Sequence, residues 1–303
     1  MTAEAALGPV GFRISATSAT GLTWEKLDAT WAAAGQHDVF SAGWLSDHLS
    51  DVSRERGGPA FEAFTTAAAL VHRTPGKWIA LAVAANTFRH PSVLAKQATM
   101  LDIVTGGHFI LGLGAGWHAG EHETFGIELP APRERVDRYA ASVRVITALF
   151  SDAAREAPGV TLDDPMFPLD RATNEPPPIT PGGPPLWLGG LRRRSTQLIA
   201  RYATGWPQPG NTAGEVSYFV EKRDLIRSAL EAAGRDPDDF TFAAQVDCGA
   251  DAGTRREAVR LGREMQQAGA HHVILGIPGG AAPEALAPMA REVAEPLRES
   301  ARP

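Results

Sequence analysis

The chain carries a single cysteine, Cys248, among 303 residues. No intrachain disulfide can form, and such sparing use fits a reducing compartment. There is no surplus of positive charge: 29 Lys and Arg face 35 Asp and Glu, a net charge of −6. That balance argues against non-specific binding to nucleic acid or to an acidic membrane surface. No apolar run approaches roughly 18 residues, so no segment reads as a bilayer-spanning helix. Met1 to Pro9 has neither a basic n-region nor an apolar h-region, so no signal peptide is expected and the expected location is cytoplasmic. No short internal repeat is visible. What is present is a globular balance, 44% hydrophobic and 21% charged. This length admits two ordinary domains or one large α/β barrel.

Short β-prone runs alternate with helical patterns. The expected strands are Val10–Ala16, Val39–Leu45, Trp78–Ala84, His108–Leu113, Leu186–Leu188, a run near Gly205–Pro207, Phe240–Val246 and His272–Leu275. Between them lie helix candidates Thr23–Ala34, Ala60–Val71, Ser92–Thr105, Arg133–Phe150, Ser195–Ala203, Gly214–Ala233, Arg255–Ala268 and Pro283–Leu297. Thr23 can cap the first, Pro91 suits the first turn of the third, and Gly106-Gly107 stops it. Eight strand–helix units predict a closed parallel (β/α)8 barrel, one domain over residues 1–303. The Pro-rich stretch from Ser151 to Pro185 breaks the pattern. It is read as an irregular, elaborated strand-to-helix loop, forming part of a substrate lid.

Several residues invite chemistry. Asp47 and His48 fall where the second strand gives way to its loop, the place where barrels build active sites. A histidine there can exchange a proton at neutral pH, while the alternative is a capping Asp and a structural His. Gly112-Leu-Gly-Ala-Gly116 is not a dinucleotide fingerprint, because Trp117 stands where the last glycine belongs and no helix opens at once. Gly114, Ala115 and Gly116 instead allow backbone to approach a planar ring closely, or simply make a tight turn. His118-Ala-Gly-Glu121-His122 has the spacing of a zinc helix, but Gly116 and Gly120 weaken any helix and no third ligand stands out. No metal site is expected, and loop packing is the preferred role. Gly189-Gly190 leads through Arg192-Arg193-Arg194 into a helix, and free N–H groups beside arginines suit a phosphate. Arg89 at a barrel top suits a carboxylate partner, and Gln245 and Asp247 end the seventh strand within reach of substrate.

Three blocks together resemble the luciferase-like superfamily over most of the chain: Trp44–Leu49; Asn86–Gln97 continuing through Leu101-Asp102 and Gly106-Gly107 to Leu111–His118, Glu121-His122 and Phe125-Gly126; and Pro185–Gly190 with Ala200–Ala203 and Gly205-Trp206. The resemblance implies a barrel that binds coenzyme F420 or, alternatively, FMN at the strand C-termini. It implies a non-prolyl cis bond at Ala82–Val83 as a shelf for the central ring. It further implies cofactor contacts from Asp47, Ala82, Val83, Ala85, Asn86, Gly114, Ala115, Gly116, Trp117, Gly189, Gly190, Leu191 and Arg192, with His48 as the catalytic residue and Asp47 orienting it or the cofactor. Trp117 replaces the acidic donor of a sugar-phosphate dehydrogenase branch, which argues against that reaction and leaves His48 the one evident acid or base. Thr204 stands where an acidic residue is common.

The expected activity is therefore hydride transfer between F420 and a small organic substrate. Rival readings are an FMN monooxygenase fed by a partner flavin reductase, a non-catalytic cofactor-binding barrel, and a metal hydrolase using His118 and His122. No nucleic-acid or membrane partner is expected, and a homodimer is suggested by family habit.

Overall fold

The computed structural model describes residues 7–14, 23–52, 58–190, 192–277 and 283–301. Eight parallel strands close into a barrel: β1 (Val10–Ile14), β2 (Ala42–Leu45), β3 (Trp78–Leu81), β4 (Phe109–Gly114), β5 (Leu186–Leu188), β6 (Gly205–Pro207), β7 (Thr241–Asp247) and β8 (His272–Ile277). Each pairs with the next, and β8 closes on β1 in the register Val10–Val273 to Ile14–Ile277. The β3 strand resumes as a two-residue extension, Ala84–Ala85, paired with the end of β4. The helices expected from periodicity form the outer layer: α1 (Trp24–Gly35), α2 (Ala63–Leu70), α3 (Pro91–Val104), α5 (Pro132–Phe150), α6 (Arg193–Tyr202), α7 (Val216–Ala232) and α8 (Ala252–Gln267). A short α4 (Ala119–Thr124) follows β4 despite Gly120, started by His118, whose Nδ1 accepts the Glu121 N–H.

Local chemistry sets the helix starts. Thr23 Oγ1 accepts from Lys26 N–H and so caps α1. Glu62 accepts from Phe64 and Thr65 N–H, which delays α2 three residues beyond the expected start at Ala60. Pro91 fills the first position of α3. The last helical run is less regular than its sequence suggested: α9 (Leu286–Met289) passes through a π segment, Ala290–Ala294, into α10 (Glu295–Ser300). No helix among the described residues is long and apolar enough to cross a membrane.

Strand alternation divides the buried residues into two cores. Outward-facing positions pack against the helices, and a separate interior set, including Trp44, Trp78, Trp187, Ala80, Ile110, Ala243 and Ile274, fills the barrel. Full burial of each such large side chain contributes on the order of 3 kcal/mol. Trp44 Nε1 donates to His272 Nε2 at 3.0 Å. An indole only donates, so Nε2 must be the unprotonated nitrogen, and Nδ1–H donates to Gly8 O at 2.6 Å. Burial lowers the His272 pKa to about 4, keeping it neutral.

The Pro-rich segment is placed differently from the expectation. It lies between α5 and β5, so it leaves a helix and enters a strand at the N-terminal face of the barrel, away from the mouth. It forms an antiparallel hairpin, Val160–Leu162 with Leu169–Ala172, laid over the helices. Asn174 Nδ2 donates to Thr99 Oγ1 and Leu149 O, linking α3 to α5. Asp102 accepts the N–H groups of Ile179 and Thr180. These bonds fasten it to the outer layer, so it is not a lid over the strand C-termini.

Candidate active site

Most of the expected site residues lie on one side of the barrel mouth, at the C-terminal ends of β2, β3, β4 and β5. Ala82–Val83, at the end of β3, is a cis peptide bond, as expected. The glycines of β4 serve this shelf directly. A Cβ on Gly112 would sit 1.8 Å from Leu81 O, and one on Gly114 would sit 2.7 Å from Val83 Cγ2. These positions are therefore required by strand-to-strand packing, whether or not a ring approaches. Gly116 has φ +84°, and a Cβ there would meet Thr87 Oγ1 at 2.4 Å. Tyr139, buried on α5, reaches Leu113 O at 2.8 Å and Gly189 O at 3.2 Å, so one hydroxyl steadies both glycine turns. The periodicity had marked Tyr139 only as core.

Asp47 and His48 diverge. The Asp47 carboxylate is buried and accepts from Arg89 Nη1 (2.6 Å), Arg89 Nη2 (2.9 Å) and Ala85 N–H (2.9 Å). Arg89 also bonds Glu62, the cap of α2, and stacks over Phe64 at 4.7 Å. Burial opposes the charge on Arg89, but the two carboxylates outweigh it and raise its pKa. The carboxylate expected for Arg89 is thus present, and it is Asp47. The expected role of Asp47 in orienting His48 is corrected: its oxygens are committed to Arg89 and to the shelf.

Glu121 takes that place instead. His48 Nδ1 lies 3.1 Å from Glu121 Oε2, while Oε1 accepts Leu49 N–H and, at 3.1 Å, Ser50 N–H. Burial alone would raise the Glu121 pKa. The bonds from His48, Leu49 and Ser50 overcome it and hold the carboxyl below the ordinary range. An ionised Glu121 can only accept, so Nδ1 carries a proton and Nε2 is the nitrogen left to work. The His48 side chain is 21% exposed, with the Trp117 ring edge-on at 6.2 Å. Trp117 itself is exposed. Sequence reasoning had treated Glu121 as loop packing within the zinc-like spacing. The two histidines of that spacing are otherwise employed, since His118 caps α4 and His122 bridges His118 O and Thr87 Oγ1, both at 2.7 Å.

The residues present fit a flat ring with a phosphorylated tail. Beside the shelf, Asn86 Oδ1 is buried without a partner among the described residues. At the β5 end, Arg192 precedes α6 without a side-chain cap, leaving first-turn N–H groups available next to Gly189-Gly190. Arg194 is paired with Asp137. Leu191 lies outside the described residues. On the remaining strands, Gln245 donates twice to Gln208, from its backbone N–H to Oε1 and from its Nε2 to the backbone carbonyl, and Arg13 faces Asp247.

The mouth thus combines a parallel barrel, a cis peptide bond at the end of β3 and a carboxylate-held histidine at the end of β2. Residues 13–295 match the luciferase-like monooxygenase family, and the chain belongs to it. A phthiodiolone/phenolphthiodiolone dimycocerosates ketoreductase of Mycobacterium sp. (strain JLS) is 27% identical over 255 residues, covering 78% of this chain and 64% of the relative. The chain thus spans less than two thirds of that relative's length. Among solved structures, an F420-dependent secondary alcohol dehydrogenase in complex with an F420-acetone adduct superposes with a TM-score of 0.74 at 17% identity, covering 98% of this chain and 99% of that one. A monooxygenase from Streptomyces bottropensis gives 0.76 at 17% identity, covering 95% and 98%. These two likenesses establish the barrel.

Proposed function

We propose that this protein is an oxidoreductase that exchanges a hydride between coenzyme F420 and a small organic alcohol or carbonyl compound. The observation that carries the reading is the His48–Glu121 pair, which fixes a protonated Nδ1 and leaves Nε2 for proton exchange, at the end of the strand next to the one that ends in the Ala82–Val83 shelf. Ala82, Val83 and Gly114 would support the ring, Asn86 would reach its polar edge, and Gly190, Arg192 and the α6 N-terminus would hold the tail. When bound, the deazaflavin supplies the two-electron hydride carrier. His48 Nε2 takes the hydroxyl proton as an alcohol is oxidised and returns it as a carbonyl is reduced. Glu121 stabilises the imidazolium during that exchange. The ketoreductase and alcohol dehydrogenase relatives support carbonyl–alcohol chemistry.

The monooxygenase neighbour supports a second reading, in which the same mouth takes FMN and a partner reductase delivers the reduced flavin. Titrating the apo-protein with F420 and FMN side by side separates the two. Binding that retains absorbance at about 420 nm supports the deazaflavin, and at about 450 nm the flavin. A protein that binds neither sinks both.

A further inference from the structure

The β7–β8–β1 side of the mouth holds polar capacity that proton and hydride transfer leave unused. Arg13 on β1 stands in register with Trp44 and Gly276, and Trp44 belongs to the barrel interior. Its side chain is only 16% exposed. A guanidinium carries five N–H donors. Among the described residues its one ion-pair partner is Asp247, 3.7 Å from Nη2 and beyond hydrogen-bond reach, while Nε is buried without any partner. The Asp247 side chain is 77% exposed, so its charge is largely spent on water.

Gln245 adds the complementary group. Its backbone N–H donates to Gln208 Oε1 at 3.0 Å and its Nε2 donates to Gln208 O at 2.5 Å. These two bonds orient the amide and leave Oε1 buried without a partner among the described residues. Both Gln245 Oε1 and Arg13 Nη2 lie close to the point where a Cβ on Gly210 would stand, at 3.5 and 3.6 Å. A Cβ on Gly276 would press to 3.2 Å from Nη2 and 2.5 Å from Asp247 Oδ1. Glycine at both positions keeps the corner open. Buried donors and acceptors are rarely left unmatched in a folded protein, and a ligand that matches them is one physical explanation.

We propose that Arg13 and Gln245 form a head-group subsite for a small organic acid, whose carboxylate meets the guanidinium and whose neighbouring hydroxyl or N–H donates to Gln245 Oε1. This rests on the proposed redox reading of the same mouth and names its substrate class. Asp247 is the internal competitor, offering the guanidinium a weak carboxylate that the acid replaces. The remainder of the substrate then extends from β1 towards His48, which follows the neighbouring strand β2.

The test is calorimetric titration of the full chain with lactate and with its uncharged counterpart lactamide. Lactate is expected to bind at least about tenfold more tightly than lactamide, and Arg13→Gln to remove that preference. Asp247→Asn, at an exposed position, is expected to tighten lactate roughly threefold by removing the competitor. Undetectable lactate binding by the unaltered chain, or equal affinity for the two probes, overturns the proposal. So does an Arg13→Gln variant that keeps the preference, or one that weakens F420 or FMN binding while lactate is unaffected. Should Arg13→Gln fail to fold, Asp247→Asn decides alone: tighter lactate supports the subsite, and unchanged or weaker lactate overturns it. Failure of the redox reading is seen separately, as absent F420 and FMN binding.

Discussion

On the β2–β4 side of the mouth, both oxygens of Asp47 and of Glu121 are engaged. Asp47 is shared between Arg89 and Ala85 N–H, and Glu121 between His48, Leu49 and Ser50. On the β7–β1 side, Arg13 Nε and Gln245 Oε1 stand buried without partners among the described residues, and Asp247 reaches into solvent. The first side is finished by folding except at Asn86 Oδ1. Its charged groups hold one another, so the shelf and the His48 tautomer are set before any ligand arrives, which is how preorganisation lowers a barrier. The second side retains hydrogen-bonding capacity for something the chain itself does not provide.

Removing a carboxylate from the finished side should break this contrast most severely. Asp47→Ala leaves Arg89 with Glu62 alone and frees the Ala85 N–H, and should cost about 3 kcal/mol, or roughly 6 °C in Tm, measured by denaturant and thermal unfolding. A loss within about 0.5 kcal/mol would show that the Asp47–Arg89 pair does not hold the shelf. His48→Ala should reduce turnover by about 100-fold, equivalent to roughly 2.7 kcal/mol, with cofactor affinity largely kept; unchanged turnover removes His48 from the chemistry. A smaller effect is expected for Glu121→Gln. One amide oxygen still accepts the Leu49 and Ser50 N–H groups, but the charge behind His48 is gone, so kcat should fall about tenfold with an altered pH profile and little change in Tm. If the pH profile does not move, Glu121 is structural only. Smallest of all, Asp247→Ala should leave stability within about 0.5 kcal/mol, since an exposed carboxylate facing its partner at long range contributes little. A large loss there would make the open side a structural network like its counterpart.

The barrel was legible because its signals are local and repeated. Apolar runs alternate with capped amphipathic helices, and Pro91 and Gly106-Gly107 mark the ends of α3 well. The Pro-rich segment differs from its expected place at the mouth: it follows a helix and precedes a strand, an order that puts it at the N-terminal face whatever its irregularity. The site was legible in its residue types and less so in its pairings. Neighbours at a strand end point to different sides. Asp47 and His48, adjacent in sequence, therefore serve different partners, and the carboxylate that meets His48 comes from 73 residues further on. Arg13 and Gln208 carried no motif, and only closure of β8 onto β1 brings Arg13 beside Gly276 and Asp247.

By itself the sequence determined the number and order of the strands and the histidine left at the end of the second, because these depend on periodicity and capping within a few residues. Tertiary structure alone decided which carboxylate holds that histidine, which glycines the shelf requires, and which donors remain without partners. Those depend on distances between strands far apart in the chain, which become fixed only when the barrel closes.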